Sequence, residues 1–214
     1  MPARSATKAR ATRAPLTAGA FGDAVQATIE KGAGASLLLT DLDDLQPLNE
    51  RAGRAAGDRA IEAAMRVLKA AAETEGYALA RLGGDEFGLL VPGMPLEQAF
   101  LRAERLRTDL NTALARAIPR GFTCTATIGV ANVPRDAKTP EQLMRKADLA
   151  LYAAKEQGGN AVGLTPGEDM VLKSSYYSSA QLGRLKSLAE RFKKKEAVLL
   201  REALDDLLRK HERT

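Results

Sequence analysis

Apolar residues recur along the chain in two patterns, which together predict a sheet flanked by helices. Short apolar runs that are typical of buried strands cover residues 36–40, 78–82, 87–91, 122–131 and 161–164. Apolar residues spaced every three or four positions predict amphipathic helices over residues 16–31, 45–52, 96–114 and 140–157, with another following Gly57 and Asp58. This order predicts an α+β fold with a mixed, largely antiparallel sheet.

The ends of this core domain are marked by changes in composition. Residues 1–15 are rich in Ala, Arg, Thr and Ser without periodicity, which predicts a disordered basic tail before a domain of residues 16–164. Residues 165–169 are polar and turn-forming, and we interpret them as a linker.

The last segment, residues 170–214, predicts a strand over 170–178 and helices over 179–191 and 195–210. Each helix has one apolar face. Because so short a segment cannot bury both faces alone, we expect it to form a homodimer with a second copy.

Composition narrows the expected compartment and partners. The net charge is +5, and basic residues cluster in residues 1–13 and at 193–195. Such clusters can bind nucleic acid or an anionic surface, although simple solvation is the more common explanation. The single cysteine, Cys124, lies in an apolar stretch and is interpreted as a core residue rather than a nucleophile. With no possible internal disulfide and no apolar run of membrane-spanning length, we expect a soluble cytoplasmic protein.

Two acidic groups at predicted strand ends indicate the chemistry. Gly83 to Glu86 connect two strands and predict a tight hairpin turn, in which glycine permits positive φ and the close approach of a ligand. Asp41 to Asp44 end the first strand, and the element order can bring both groups together. Clustered carboxylates repel each other unless a cation lies between them, so Mg²⁺ or Mn²⁺ is the expected cofactor. Asp44 has an alternative role as the cap of the helix that begins at Leu45.

Several separated motifs resemble the GGDEF domain of diguanylate cyclases. Gly83 to Phe87 spell the signature of that family, and Asp41 to Asp43 precede it at the family's spacing. The further matches are Asn49, Gly53, Gly57, Asp58, Thr127 to Val130, Ala147, Asp148, Ala150 to Tyr152, Lys155, Gly158 and Asn160. The resemblance covers residues 18–164, and its motifs agree in order and spacing.

The resemblance implies a reaction and a role for each matching residue. Domains of this family condense two GTP molecules into cyclic di-GMP, and each of two protomers holds one GTP. The implied ligands of Mg²⁺ are Asp41, the Leu42 carbonyl, Asp85 and Glu86. Asp85 would also deprotonate the attacking 3′-hydroxyl, Asn49 and Asp58 would read guanine, Gly83 and Gly84 would adjoin the nucleotide, and Lys155 would bind phosphate.

The chain departs from the family pattern where phosphate-directed cations are usual. Leu45-Gln46 replaces Phe-Lys and Gly159 replaces Arg, while Lys155 remains. Arg54 replaces a histidine and could restore some positive charge. Because losing such cations can cost several kcal/mol of barrier in phosphoryl transfer, slow turnover or binding without turnover is the alternative.

The family's product-inhibition motif, Arg-x-x-Asp, is also absent, since Thr74 and Tyr77 occupy its positions. We therefore expect no feedback site for cyclic di-GMP near Thr74.

The C-terminal segment has Lys-Ser-Ser-Tyr-Tyr at 173–177, Leu-Lys-x-Leu-Ala at 185–189 and Leu-Arg-Glu-Ala-Leu at 200–204. In these stretches it resembles a second family, the ribbon-helix-helix DNA-binding domains. In that family two chains pair their strands into an antiparallel ribbon that enters the major groove. By strand alternation, Lys173, Ser175 and Tyr177 would face DNA, and Lys194 or Lys195 would contact phosphate. A helical hairpin used only for dimerisation is the simpler alternative.

Two functional hypotheses follow. The first is a diguanylate cyclase coupled to a DNA-binding dimerisation segment. The second is a catalytically impaired GGDEF module that binds GTP or cyclic di-GMP and regulates transcription.

Overall fold

The computed structural model describes residues 14–32, 34–165, 175, 177–192, 194 and 196–211. The chain divides into two compact units, Met1–Gly167 and Glu168–Thr214. This division falls inside the segment predicted as a linker, while the predicted boundaries themselves stay a prediction. The first unit contains α1 (Ala18–Glu30), β1 (Ala35–Asp43), α2 (Leu45–Ala52), α3 (Arg54–Glu75), β2 (Ala78–Arg81), β3 (Glu86–Pro92), α4 (Leu96–Ala117), β4 (Thr125–Val133), α5 (Pro140–Glu156) and β5 (Val162–Leu164).

The strands of the first unit form one five-stranded sheet in the order β2-β3-β1-β4-β5. Neighbouring strands are antiparallel except β4 and β5, which are parallel. The predicted mixed, largely antiparallel α+β fold is therefore confirmed. In the register of β1, Asp41 lies opposite Glu86 of β3 and opposite Thr127 of β4.

Helices cover both faces of this sheet. Side chains alternate along β1, so that Leu38 and Leu42 pack in a core with residues of α3 and α4. Leu37 and Leu39 pack in a second core with residues of α1 and α5. Asp41 is in phase with this second pair, which directs its side chain toward the face covered by α5.

Two element boundaries differ from the sequence prediction. The helix expected after Gly57 and Asp58 begins earlier, at Arg54, because Gly53 ends α2 with a φ of 84° and the chain enters α3 directly. The strand expected over residues 122–131 spans Thr125–Val133. Its start is set by pairing, since Thr125 lies opposite the last residue of β1.

The predicted start of α5 is confirmed, with one change in its capping. Thr139 Oγ1 accepts a hydrogen bond from Gln142 N at 3.3 Å, and Pro140 begins the helix. The Gln142 side chain accepts from Lys138 N at 2.9 Å rather than from the backbone of Thr139. The helix that carries Lys155 therefore has a well-defined first turn.

The second unit contains α6 (Ser179–Phe192) and α7 (Glu196–His211), in agreement with the two predicted helices. The strand predicted over 170–178 lies largely outside the described residues, and its described members Ser175, Tyr177 and Ser178 are not in a strand. In the part of the chain that the structure describes, no helix is long and apolar enough to cross a membrane. Large apolar side chains are exposed on both helices: Leu182, Leu188, Phe192, Leu200, Leu204, Leu207 and Leu208.

Candidate active site

The acidic residues of the site come from β1, β3 and the turn before β3. Asp41 and Glu86 are backbone partners in the antiparallel ladder. Directly opposed residues direct their side chains to the same face of a sheet, a few ångströms apart. Asp85 precedes Glu86 in the turn. The fold thus places the three acids predicted to form a metal site at neighbouring positions of β1, β3 and the turn before β3, while their metal-binding role stays a prediction.

The Gly-Gly turn is held by an arginine of β2. Arg81 Nε donates to the carbonyls of Gly83 at 3.2 Å and Gly84 at 3.1 Å, and Arg81 Nη2 donates to Gly84 O at 2.5 Å. Leu82 N donates to Glu86 O at 2.8 Å and closes the predicted hairpin. Neither glycine uses the positive φ that glycine permits. A Cβ on Gly84 would meet nothing within 4 Å, so this position faces open space that a ligand can occupy.

Lys155 compensates part of the negative charge. Lys155 Nζ, near the end of α5, donates to Asp41 Oδ1 at 2.5 Å. Both side chains are partly buried. Burial raises the pKa of Asp41, Lys155 opposes this rise, and the charges of Asp85 and Asp43 add to it. The net direction is upward, mainly because burial disfavours the charged carboxylate.

The pKa of Glu86 is raised in the same direction. Burial raises its pKa, and Asp41, Asp148 and Asp85 raise it further. Carboxylate oxygens in such surroundings favour a bound cation, and they are ligands that suit Mg²⁺ or Mn²⁺. Among the described residues, no three His, Cys, Asp or Glu side chains converge as a ready metal site. The chemistry of the carboxylate donors nevertheless fits a divalent ion.

The residues predicted to read guanine lie at the junction of α2 and α3. Asn49 packs directly on buried Gly57, where an added Cβ would lie 2.0 Å from Asn49 Oδ1. Asp58 follows Gly57 in the chain and is exposed. The absence of a side chain at Gly57 thus leaves room for the Asn49 amide. Their assignment to guanine stays a prediction.

Comparison with known proteins assigns the family. A family model for the diguanylate cyclase GGDEF domain matches residues 19–161, which is more than half of the chain. The chain belongs to this family.

This chain matches only part of longer curated relatives. It is 36% identical over 127 residues to diguanylate cyclase DgcM of Escherichia coli K12, covering 59% of this chain and 30% of DgcM. It is 30% identical over 136 residues to diguanylate cyclase A of Treponema denticola, covering 64% of this chain and 36% of that protein. The chain thus spans about a third of the length of these curated relatives.

A solved structure shares the fold. The GGDEF domain of DgcB from Caulobacter crescentus, determined in complex with c-di-GMP, is 25% identical and superposes with a TM-score of 0.63. The superposition covers 78% of this chain and 97% of that domain.

The structure shows the surroundings of Gln46 and Gly159, the two positions of this GGDEF domain at which the family usually has a cation. Gln46 Nε2 donates to Glu50 Oε1 at 2.8 Å on the surface of α2. Gly159 has a φ of 71°, and an added Cβ would lie 3.0 Å from Asp43 Oδ1. An arginine there would strain the backbone and crowd Asp43. Arg54 is the exposed first residue of α3, and its role as a replacement cation stays a prediction.

Asp43 and Asp44 differ from the three clustered acids. The Asp43 carboxylate accepts hydrogen bonds from Thr125 Oγ1 at 2.7 Å, Thr127 Oγ1 at 2.8 Å and Asn160 N at 3.0 Å. Asp44 has a φ of 59° and its side chain makes no cap hydrogen bond to α2, so the capping alternative is wrong. The sequence indicates no site role for these two threonines, although their alternation on β4 places both on one face.

Cys124 is a buried core residue, as predicted. It is 4% exposed and packs with the core that includes α3 and α4. Burial raises the pKa of its thiol to about 12, with smaller contributions from nearby carboxylates such as Asp43 and Asp44. A buried thiol with a raised pKa is a poor nucleophile at neutral pH.

The residues predicted to contact DNA are only partly described. Lys173 and Lys195 lie outside the described residues, whereas Ser175 and Tyr177 are exposed. Lys194 Nζ donates to Glu202 Oε1 at 2.5 Å. This lysine is therefore paired within the C-terminal unit, and DNA contact stays a prediction for all of these residues.

Proposed function

We propose that this GGDEF domain condenses two GTP molecules into cyclic di-GMP, with one GTP held by each of two copies of the chain. The observation that supports this best is the pairing of Asp41 with Glu86 across the sheet, with Lys155 Nζ at 2.5 Å from Asp41. Acids for a metal and a cation for a phosphate thus occupy one region, and phosphoryl transfer uses both kinds of group.

In this proposal, Asp41, Asp85, Glu86 and the Leu42 carbonyl hold Mg²⁺ or Mn²⁺. The bound ion would stabilise negative charge on the α-phosphate and on the departing pyrophosphate. Asp85 accepts the proton of the attacking 3′-hydroxyl, and Lys155 binds a phosphate oxygen.

Asn49 and Asp58 read the guanine base. The Asn49 amide supplies a donor and an acceptor, and the Asp58 carboxylate supplies acceptors for guanine N–H groups. Gly83 and Gly84 have no side chains, so the nucleotide can lie against the hairpin turn. It would occupy the open space into which a side chain at Gly84 would otherwise project. Adenine presents the opposite pattern of donors and acceptors to these groups, so GTP is preferred over ATP.

The experiment incubates the purified full chain with GTP and Mg²⁺ at high protein concentration. Chromatography and mass spectrometry should find one cyclic di-GMP for every two pyrophosphates. Asp85→Asn should abolish the product, whereas Asp109→Asn, which changes an exposed acid of α4, should not. Absence of cyclic di-GMP from the unchanged chain would overturn the cyclase proposal.

Binding without turnover is the second candidate, and the missing cations favour it. Gln46 and Gly159 stand where the family resemblance implies Lys and Arg, and the Gln46 side chain is engaged with Glu50. In this case calorimetry should detect binding of GTP or cyclic di-GMP, and binding should weaken in Asn49→Ala while no product forms. The bound nucleotide would then act as an effector of a transcription regulator.

The C-terminal unit is proposed to dimerise the chain. Its exposed leucines on α6 and α7 form apolar surface that 47 residues cannot bury alone, and a second copy offers the same surface. Sedimentation should show a dimer that Leu204→Asp dissociates. The control is Leu101→Asp on α4, which is also exposed and should leave the dimer intact.

DNA binding by this dimer is a separate proposal, supported by the resemblance of residues 170–214 to ribbon-helix-helix domains. Salt-sensitive binding to duplex DNA should be lost when Lys173 and Tyr177 are changed to alanine. Lys31→Ala, in the exposed turn after α1, is the charge-matched control. Equal binding by all variants would argue against these contacts.

A further inference from the structure

The Asp43 carboxylate accepts hydrogen bonds from three other residues. Its Oδ2 accepts from Thr125 Oγ1 at 2.7 Å, from Thr127 Oγ1 at 2.9 Å and from Asn160 N at 3.0 Å, and its Oδ1 accepts from Thr127 Oγ1 at 2.8 Å. These bonds join the end of β1 to β4 and to the turn between α5 and β5. A carboxylate with this many donors has little remaining capacity for a metal ion.

The same turn is held from its other side by α4. Asn160 Oδ1 accepts from Arg107 Nη1 at 2.5 Å and from Asn111 Nδ2 at 2.7 Å. Asn111 Oδ1 in turn accepts from Ala126 N at 3.0 Å, which ties α4 to β4. Asn160 is therefore fixed by its backbone to Asp43 and by its side chain to α4.

This turn is continuous with the last turn of α5, which carries Lys155. Gly158 N donates to Lys155 O at 3.1 Å, and Gly159 N donates to Ala154 O at 3.1 Å. These bonds restrict the movement of Asn160 relative to Lys155. A displacement of Asn160 is therefore transmitted to the end of α5.

We infer that Asp43 is a positioning residue for Lys155, and not a metal ligand. By holding the turn at Asn160, Asp43 fixes the end of α5 so that Lys155 Nζ reaches Asp41, two residues earlier on the same face of β1. Lys155 in turn faces the phosphate group of the nucleotide. The effect on nucleotide rests on the proposed GTP site, whereas the effect on the turn does not.

The first test measures the turn without nucleotide. Hydrogen exchange of the Asn160 amide should accelerate by at least ~10-fold in Asp43→Asn, because its hydrogen bond acceptor is weakened. Asp44→Asn, which changes the adjacent exposed acid without a cap bond, should leave the exchange rate unchanged. If Asp43→Asn fails to fold, Thr125→Val removes one of the donors to Asp43 and should give a smaller acceleration. Unchanged exchange in the folded variants would overturn the inference.

The second test separates positioning from metal binding. In Asp43→Asn the KM for GTP should rise by ~10-fold, as for other residues that orient a ligand group, while the Mg²⁺ concentration for half-maximal activity stays constant. The KM for GTP should rise by the same factor in Lys155→Met alone and in Lys155→Met combined with Asp43→Asn. A shifted Mg²⁺ requirement, or additive losses in the double variant, would overturn the inference. No product from the unchanged chain would instead refute the cyclase proposal and leave the exchange result to decide.

Discussion

Gly57→Ala should impair guanine recognition while leaving the fold intact. The added Cβ would lie 2.0 Å from Oδ1 and 2.8 Å from Cγ of Asn49. Ordinary contact distances of 3.5–4.0 Å then require the Asn49 amide to shift by about 1.5 Å. A misplacement of about 1 Å in a positioning group can lower a reaction rate by ~100-fold. We expect a loss of similar size in GTP affinity.

Stability should change little in the same variant. Alanine is favoured over glycine in a helix interior by ~1 kcal/mol, and Gly57 lies inside α3. Displacing the Asn49 side chain from its rotamer costs ~0.5–1.5 kcal/mol, which offsets that gain. The two effects leave the free energy of unfolding within about 1 kcal/mol of the original value.

The assay is calorimetric titration with GTP alongside urea unfolding. Gly22→Ala is the matched control, since it lies within helix α1 and its Cβ would meet nothing within 4 Å. Combining Asn49→Ala with Gly57→Ala should weaken GTP binding no further than Asn49→Ala alone. Undiminished affinity in Gly57→Ala, or a further loss in the double variant, would refute the assignment of Asn49 to the base.

Three further predictions concern single residues. Cys124 should resist thiol reagents at about pH 8 until the chain unfolds. Burial raises the pKa of the Cys124 thiol from 9.0 to about 12. The stability that the protonated thiol contributes is therefore complete below pH 9.0 and is lost as the pH rises toward 12. Urea midpoints should show this loss, and Cys124→Ala should not show it. Gly129→Ala should lower the free energy of unfolding by ~3 kcal/mol or more, because its Cβ would lie 2.2 Å from Ala147 O; a change below ~1 kcal/mol would contradict this packing. Gly159→Arg should not raise cyclic di-GMP formation, since its Cβ would lie 3.0 Å from Asp43 Oδ1, and a ~10-fold gain would contradict that reasoning.

The sheet and its hairpin could be predicted because their signals are local. The apolar run before Asp41 and the paired glycines at 83–84 each specify an element within a few residues. Boundaries depend on distant partners instead. β4 begins at Thr125 because the opposing strand ends at Asp43. The residues at 122–124 carry no sequence signal for this boundary.

The site was predictable only where the family motif itself carries the residue. Asp41 and Glu86 are neighbours across the sheet, as the element order allows, and each belongs to a recognisable motif. Lys155 belongs to another such motif, but its contact with Asp41 is not part of the prediction. The partners of Asp43 come from β4 and from a turn more than 100 residues away, so its hydrogen bonds cannot be inferred from spacing. Arg81 was also missed, because a basic residue before a turn does not show that its side chain folds back on the carbonyls.

Arg81 gives the signature turn a polarity. A trans peptide directs its N–H away from its C=O, so drawing the carbonyls of Gly83 and Gly84 toward the guanidinium turns the N–H groups of Gly84 and Asp85 to the other side. The turn therefore has a carbonyl side that is already satisfied and a donor side directed away from Arg81. Two successive N–H groups on a glycine turn form a surface that suits an anion. The acidic signature motif thus also presents backbone donors to a negatively charged ligand.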